Sequence, residues 1–199
     1  MNVKPILFST DMVRAIQENR KTVTRRVVKP QPEIDEFIYR NQECGEMFIS
    51  QDNDCFPEIK LKPPYCPGDI MYVRETWTSL VGSYLYKADQ KPGMKNPGKW
   101  HPSIHMPREA ARIFLRVTDV RVERLQDMSR EDAVLEGCDP TLKDIAPDLG
   151  YYRIWTEMES LWNRAIKPAD RAIYGWDANP WVWVNEFERC EKPKEVDIS

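Results

Sequence analysis

Runs of β-branched and aromatic residues recur along this chain, and proline or glycine cuts nearly every one of them short. Residues 21–28 read Lys-Thr-Val-Thr-Arg-Arg-Val-Val and are ended by Pro30 and Pro32. The turn Pro67-Gly68-Asp69 leads into 70–77, whose composition predicts a strand. Residues 84–86 give a shorter one, 113–125 alternate well enough for one or two, and 181–187 place aromatic side chains on one face. Helical signals are fewer. Ser9 and Thr10 can cap a short helix through Met12, Val13 and Ile16, with Asn19 suited to a left-handed end. Ser129-x-x-Asp132 starts a capping-box helix that stops at Gly137. Tyr151, Trp155, Met158 and Trp162 fall at helical spacing, with Ile154, Leu161 and Ile166 beside them, which is a core-packing stripe. Short strands, long connections and few helices predict an α+β fold built on a small β-barrel rather than a parallel α/β sheet.

Two stretches interrupt this pattern. Residues 33–66 are polar and irregular, with a short strand expected around 47–49, and 90–110 carry Pro92, Pro97, Pro102 and Pro107 and read as a long loop. At 199 residues the chain fits one domain with insertions, and seven tryptophans and eight tyrosines supply bulky core material. No apolar run approaches the ~20 residues of a membrane span, and the first residues lack a basic-then-apolar leader, so cytoplasmic residence is expected. The five cysteines, Cys44, Cys55, Cys66, Cys138 and Cys190, form no Cys-x-x-Cys pair, which argues against both a disulfide framework and a zinc knuckle.

The net charge of −3 conceals an uneven distribution. Residues 1–30 carry seven lysines and arginines against Asp11 and Glu18, and 91–116 carry six against Glu109 alone. If the two segments meet they form a local anion-binding face; otherwise they are ordinary solvated surface.

The densest cluster of reactive types is Lys21, Thr24, Arg25 and Arg26. A lysine can steady a developing negative charge or act as a base when its pKa is depressed, and a threonine hydroxyl is a nucleophile when a neighbour takes its proton. On a flat strand Lys21 and Thr24 face opposite ways, so they converge only if Lys21 lies in the preceding turn. Glu136, at the end of the 129–136 helix, is placed as a general acid or base, or is simply an exposed glutamate. Glu75 can pair with a basic group or line a pocket. His101 and His105 have a metal-like spacing, but Pro102 lies between them and no acidic partner follows. There is no phosphate-cradling glycine loop, nucleophile elbow or dinucleotide fingerprint.

The run Asn19-Arg20-Lys21-Thr22-Val23-Thr24-Arg25-Arg26 resembles the Gly-Arg-Lys-Thr-x-Thr-x-Arg signature that opens ASCH domains, with Asn19 in the glycine's place. Pro67-Gly68-Asp69-Ile70 is similar to that family's second marker, 125–137 to its strand-to-helix segment ending in a glutamate, and 180–187 to its closing strand. Over nearly its whole length the chain resembles the longer ASCH proteins of bacteriophages and prophages. The resemblance implies one PUA-like domain over 1–190, with insertions at about 33–66 and 90–110 and a tail at 191–199.

The enzymatic relatives in that family are bacterial N4-acetylcytidine amidohydrolases. Their lysine, threonine and glutamate fall by motif position on Lys21, Thr24 and Glu136. The resemblance therefore implies hydrolysis of an N4-acylated pyrimidine nucleoside, without metal or organic cofactor. Thr24 would attack the acyl carbon, Lys21 would assist its deprotonation, and Glu136 would handle protons. Arg25, Arg26, Glu75, Tyr72 and Trp77 are expected to bind the substrate. Two alternatives stay open. One is a non-catalytic module for single-stranded RNA or a modified base, with Arg25 and Arg26 on phosphates and Tyr72 or Trp77 stacked on a base. The other is a ribonuclease in which Lys21 and Arg26 stabilise the phosphorus centre. The oligomeric state is not legible in the sequence.

Overall fold

The aromatic run near the end of the chain forms an inner strand of the main sheet, paired on both sides, and Val182, Trp183, Val184 and Asn185 are buried in succession because both faces of the sheet are covered. The computed structural model describes residues 1–32, 36–40, 47–51, 59–91, 93–95, 98–141 and 147–193, with backbone alone over 36–40, 47–51, 59–60 and 147–152. In chain order the elements are β1 (Val3–Leu7), α1 (Thr10–Gln17), β2 (Val23–Val27), β3 (Glu36–Arg40), β4 (Met47–Gln51), β5 (Ile59–Leu61) and β6 (Ile70–Arg74). They continue as β7 (Trp77–Leu80), β8 (Ser83–Tyr86), β9 (Phe114–Arg124), α2 (Arg130–Leu135), α3 (Pro147–Ala165), α4 (Arg171–Tyr174) and β10 (Trp181–Cys190).

The main sheet has the order β1-β6-β9-β10-β2. Only β1 and β6 run parallel in it; the other pairs are antiparallel. The fold is α+β, as expected. Among the described residues no backbone pairing joins the outer strands β1 and β2 into a closed barrel. A side chain bridges them instead: Arg26 Nη2 donates to the Leu7 carbonyl at 3.2 Å.

Cross-strand partners divide the core cleanly. On one face Ile6, Met71, Val73, Leu115, Val117, Val120, Trp183 and Phe187 pack under Val13 and Ile16 of α1. The opposite face is covered at one end by α2 and α3, through Ala133, Ile154, Met158 and Trp162 against Val23, Val182 and Val184. At its other end Ile70, Phe114 and Met106 form a smaller cluster with Tyr72, Trp77, Tyr84 and Tyr86. Each buried aliphatic side chain in these layers contributes roughly 1.5–3 kcal/mol relative to exposure.

The capping signals act as read. Ser9 Oγ accepts from Met12 N, Asn19 is left-handed at φ 56°, and the Ser129–Asp132 capping box is complete in both directions. Three expectations need correcting, and one strand went unread. Strand β1 gave no signal: Pro5 lies in it, which suits an edge strand. Residues 70–77 are two strands in different sheets, because the chain turns at Glu75–Thr76 where the Glu75 carboxylate points inward to Arg112. Within 33–66 the short strand expected around 47–49 is β4, and it is flanked by two strands that were not expected, giving a three-stranded antiparallel sheet, β3-β4-β5. The last helix stripe begins earlier, at Pro147, and Tyr151 lies outside the described side chains.

Candidate active site at the free edge of β2

Strand β2 ends the sheet, so half of its backbone groups have no strand to pair with. Val28 N bonds Trp181 O, and Phe187 N bonds Thr22 O. Given the register Thr24↔Asn185 and Arg26↔Trp183, the even-numbered residues turn their backbone to β10. Val23, Arg25 and Val27 turn theirs outward. Two side chains satisfy most of this edge: Lys21 Nζ donates to Val23 O at 2.6 Å, and Glu136 Oε1 accepts from Arg25 N at 2.6 Å.

The local backbone explains why these two groups meet. Arg20 N and Lys21 N both donate to Ala15 O, which folds the chain back over the end of α1, and Thr22 N donates to Leu135 O at the end of α2. Lys21 thus sits before the strand begins, in the turn, which is the condition for approaching Thr24. Gly137 lies beside it at φ +112°; a Cβ there would come within 3.4 Å of Ala15 Cβ and 3.6 Å of the Lys21 stem. The glycine allows both the backbone conformation and the close approach.

Lys21 and Glu136 form a buried ion pair at 2.5 Å, with side-chain exposures of 0% and 6%. Lys21 Nζ also donates to Glu136 O at 2.7 Å, so its three donors have three acceptors, and it stands 5.4 Å from the Phe8 ring centre. Burial lowers the Lys21 pKa below its ordinary value, against the opposing pull of the Glu136 carboxylate.

Thr24 is buried on the same strand, and its Oγ1 accepts from Arg26 Nη1 at 3.0 Å. It makes no hydrogen bond to Lys21 or Glu136 among the described residues. Arg25 faces the other side of the sheet with a side chain of 0% exposure. Its Nε and Nη2 hold Glu123 Oε1 at 3.0 and 2.6 Å, and Asp132 lies 3.6 Å away. Wholly buried, Arg25 is not a surface contact for a phosphate. Arg26, half-buried, stands over Phe8 at 5.6 Å.

A cavity of about 450 Å³ opens at this edge. Its polar lining includes Arg25, Arg26 and Glu136 with Asp11 and Arg164, and its apolar wall is built mainly by Met158, Leu161 and Trp162 from α3, opposite Val27, Leu7 and Met12. Lys21 and Thr24 are not in its lining; Arg26 stands between Thr24 and the open volume. A concave, largely apolar volume of this size with a few converging polar groups suits a small molecule.

The other expected binding residues lie elsewhere. Glu75 is buried and held by Arg112 through two bonds of 2.9 and 3.1 Å; burial raises its pKa, opposed by Arg112. Tyr72 lies under the Arg108 guanidinium, and Trp77 packs between Tyr84 and His101 at 5.6 and 5.2 Å. None of the three lines the cavity. Four residues around the site escaped the sequence reading. Glu123 and Arg121 alternate on one strand face, a period-two charge pattern that was legible in principle. Asn185, fully buried with Nδ2 on the Thr24 carbonyl at 3.3 Å, and Phe8 carry no local signal. Among the described residues no cluster of His, Cys, Asp or Glu is arranged to hold a metal ion, and no helix is long and apolar enough to cross a membrane.

No family model matches the chain, and no curated protein matches it. Among solved structures it is similar to an ASCH domain from Lactobacillus crispatus, with a TM-score of 0.38 and 9% identity over 94% of this chain and 79% of the other. It is also similar to protein EF3133 from Enterococcus faecalis, with a TM-score of 0.35 and 12% identity over 94% and 78%. At these TM-scores the likeness assigns neither a fold family nor an activity.

Proposed function

We propose that this protein is an ASCH-type amidohydrolase that removes the acyl group from an N4-acylated pyrimidine nucleoside, with Lys21, Thr24 and Glu136 as its reactive set. The observation that carries this reading is the buried Lys21–Glu136 pair, at 2.5 Å, beside a cavity that Glu136 itself lines. A buried ion pair is a poor source of stability, and a lysine whose pKa is lowered by burial behind a cavity-lining carboxylate is suited to proton transfer.

In the proposed reaction the Thr24 hydroxyl oxygen attacks the acyl carbon, and its proton passes by way of Lys21 to the departing exocyclic N4 amine. The C–N bond breaks, and the acyl group remains as an ester on Thr24. Water then attacks this ester, giving up its proton to Glu136, and the carboxylic acid leaves as Thr24 regains its proton. Arg26 Nη1, already on Thr24 Oγ1, favours the oxygen's negative form. To reach Thr24, Lys21 exchanges one of its three acceptors for the hydroxyl.

A second reading rests on that same saturation. With every Lys21 donor engaged and Thr24 behind Arg26, the pair acts as a clamp on the sheet edge, and the cavity binds a modified base without chemistry. The two readings separate on N4-acetylcytidine. The enzyme releases acetate and cytidine, and Thr24→Val lowers the rate at least about 100-fold while the protein stays folded. If the nucleoside is retained by the protein intact and Thr24→Val binds it equally well, the hydrolytic reading falls. Cleavage of single-stranded RNA with N4-acetylcytidine untouched would point to the ribonuclease alternative.

A further inference from the structure

Two arginines in the cavity lining have no carboxylate of their own. The charged side chains there are Asp11, Arg25, Arg26, Glu136 and Arg164. Glu136 is paired with Lys21 at 2.5 Å, and Asp11 stands 3.7 Å from Arg14. Arg25 is held by Glu123 and Asp132, and Arg121 faces the same two carboxylates. Arg26 donates only to neutral oxygens, those of Thr24 Oγ1, Arg25 O and Leu7 O. It shares the lining with Glu136, whose charge Lys21 already offsets. Arg164 is exposed, and its guanidinium makes no hydrogen bond or ion pair among the described residues.

The helix that carries Arg164 sets what stands beside it. Met158, Leu161 and Trp162 form the apolar wall, and Arg164 follows them in the last turn of α3, roughly 9 Å along the axis from Met158. A cation suits that end of a helix, where the carbonyls carry partial negative charge, and this leaves most of the guanidinium's donors unused. One wall of the cavity thus runs from apolar to cationic. The matching ligand has an apolar face at one end and an anion at the other.

The chain as a whole carries a net charge of −3, so no general field draws anions to it, and attraction at this mouth is local. The opposing carboxylates are weak there. Glu136 is matched by Lys21, and Asp11 is 76% exposed beside Arg14, where water and salt screen it.

We infer that Arg164 binds a phosphate, and that the ligand of this cavity is a phosphorylated pyrimidine nucleoside rather than a free one. The pyrimidine rests on the proposed hydrolase reading; the anion site does not. The base lies against Met158, Leu161 and Trp162, the phosphate takes the Arg164 guanidinium, and Arg26 stays with Thr24. A mononucleotide and a nucleic-acid strand both supply that phosphate, and their binding tells them apart.

Cytidine, its 5′- and 3′-monophosphates and a short single-stranded oligocytidylate test this, since none of them carries an N4 acyl group to lose. Calorimetry at about 50 mM salt is expected to show a monophosphate binding about 10-fold tighter than cytidine, and about 0.2 M salt to narrow the gap. Arg164→Gln should bring the preference within about 3-fold, and Arg164→Lys should keep most of it. Arg153→Gln removes an exposed cation from the same helix outside the cavity lining and should leave the preference intact. Equal affinities for cytidine and both monophosphates, or no binding of any, would overturn the inference. So would a preference that survives Arg164→Gln or falls equally in Arg153→Gln. Oligocytidylate that binds tighter than either monophosphate, and depends on Arg164, identifies a strand as the source; no tighter binding identifies the free nucleotide. A thermal melt confirms that the variants are folded; where one is not, the wild-type comparison decides. Acetate release from N4-acetylcytidine is measured separately. Phosphate preference without release would sink the hydrolase reading and keep the anion site, and release without preference would do the opposite.

Discussion

Replacing Lys21 by methionine removes one cation and leaves three acceptors stranded. The Glu136 carboxylate, 6% exposed, would keep the Arg25 amide as its hydrogen-bond donor, and Val23 O and Glu136 O would lose theirs. Removing one partner of a buried pair typically costs about 3–5 kcal/mol, because the other charge remains buried. Against a total stability of roughly 5–15 kcal/mol, that is a large fraction. With a urea slope of about 2 kcal/mol per molar, the unfolding midpoint should fall by about 2 M. Tryptophan fluorescence in a urea titration reads this directly, since Trp162 and Trp183 are buried in the two layers flanking the site. A Lys21→Met/Glu136→Leu double variant should recover part of the loss, about half, because the buried charge is gone while Val23 O, the backbone carbonyl at 136 and Arg25 N stay unpaired. The pH dependence has a definite sign. Burial lowers the folded pKa of Lys21 below 10.5, so the unfolded chain binds the extra proton between the two values. The Lys21 contribution to stability therefore rises with pH through that window, and Lys21→Met removes the rise. A midpoint within about 0.5 M of wild type would refute the reasoning and mean that the pair is solvated in solution.

Three further predictions concern the frame around the site. Asp69 ties β1 down by accepting from Asn2 N at 2.8 Å, Lys4 Nζ at 3.0 Å and Cys66 N at 3.2 Å. Burial pushes its pKa up, but these bonds outweigh it and hold the value below 3.8. Its contribution is present above that pH and lost as pH falls through the folded value, so Asp69→Asn should flatten the acid limb of a stability–pH profile. Gly137→Ala should cost about 2 kcal/mol in a denaturant titration, since φ +112° strains any side-chain-bearing residue. Burial, with Glu157 and Glu136 nearby, pushes the Cys138 thiol up to about 12, whereas Cys66 is exposed. Peptide mapping after brief alkylation at pH 8 should therefore find Cys66 modified and Cys138 only after unfolding.

The parts of the fold that local chemistry writes were readable from residues alone. The helix capped by Ser9 and ended at Asn19, the Ser129–Asp132 capping box and the aromatic strand β10 all depend on neighbours within a few positions. Strand β1 was hidden because its partner, β6, lies more than sixty residues away and Pro5 masks its pattern. The break at Glu75 is equally non-local, set by an ion pair with Arg112. At the site, motif position pointed to Lys21, Thr24 and Glu136, and the turn before β2 brings the first and last together across 115 positions. What the sequence could not convey is which face of β2 is covered. Alternation puts Thr24 and Arg26 on one face and Arg25 on the other, and packing beside Glu123 and Asp132 turns an expected phosphate contact into a buried donor.

An ester on Thr24 is the species that the proposed chemistry cannot do without. Protein mixed with N4-acetylcytidine, quenched in acid during turnover and digested, should yield the peptide containing Thr24 one acetyl group heavier, and Thr24→Val should give none. Steady acetate production with that peptide unmodified, and undiminished in the valine variant, would contradict the account.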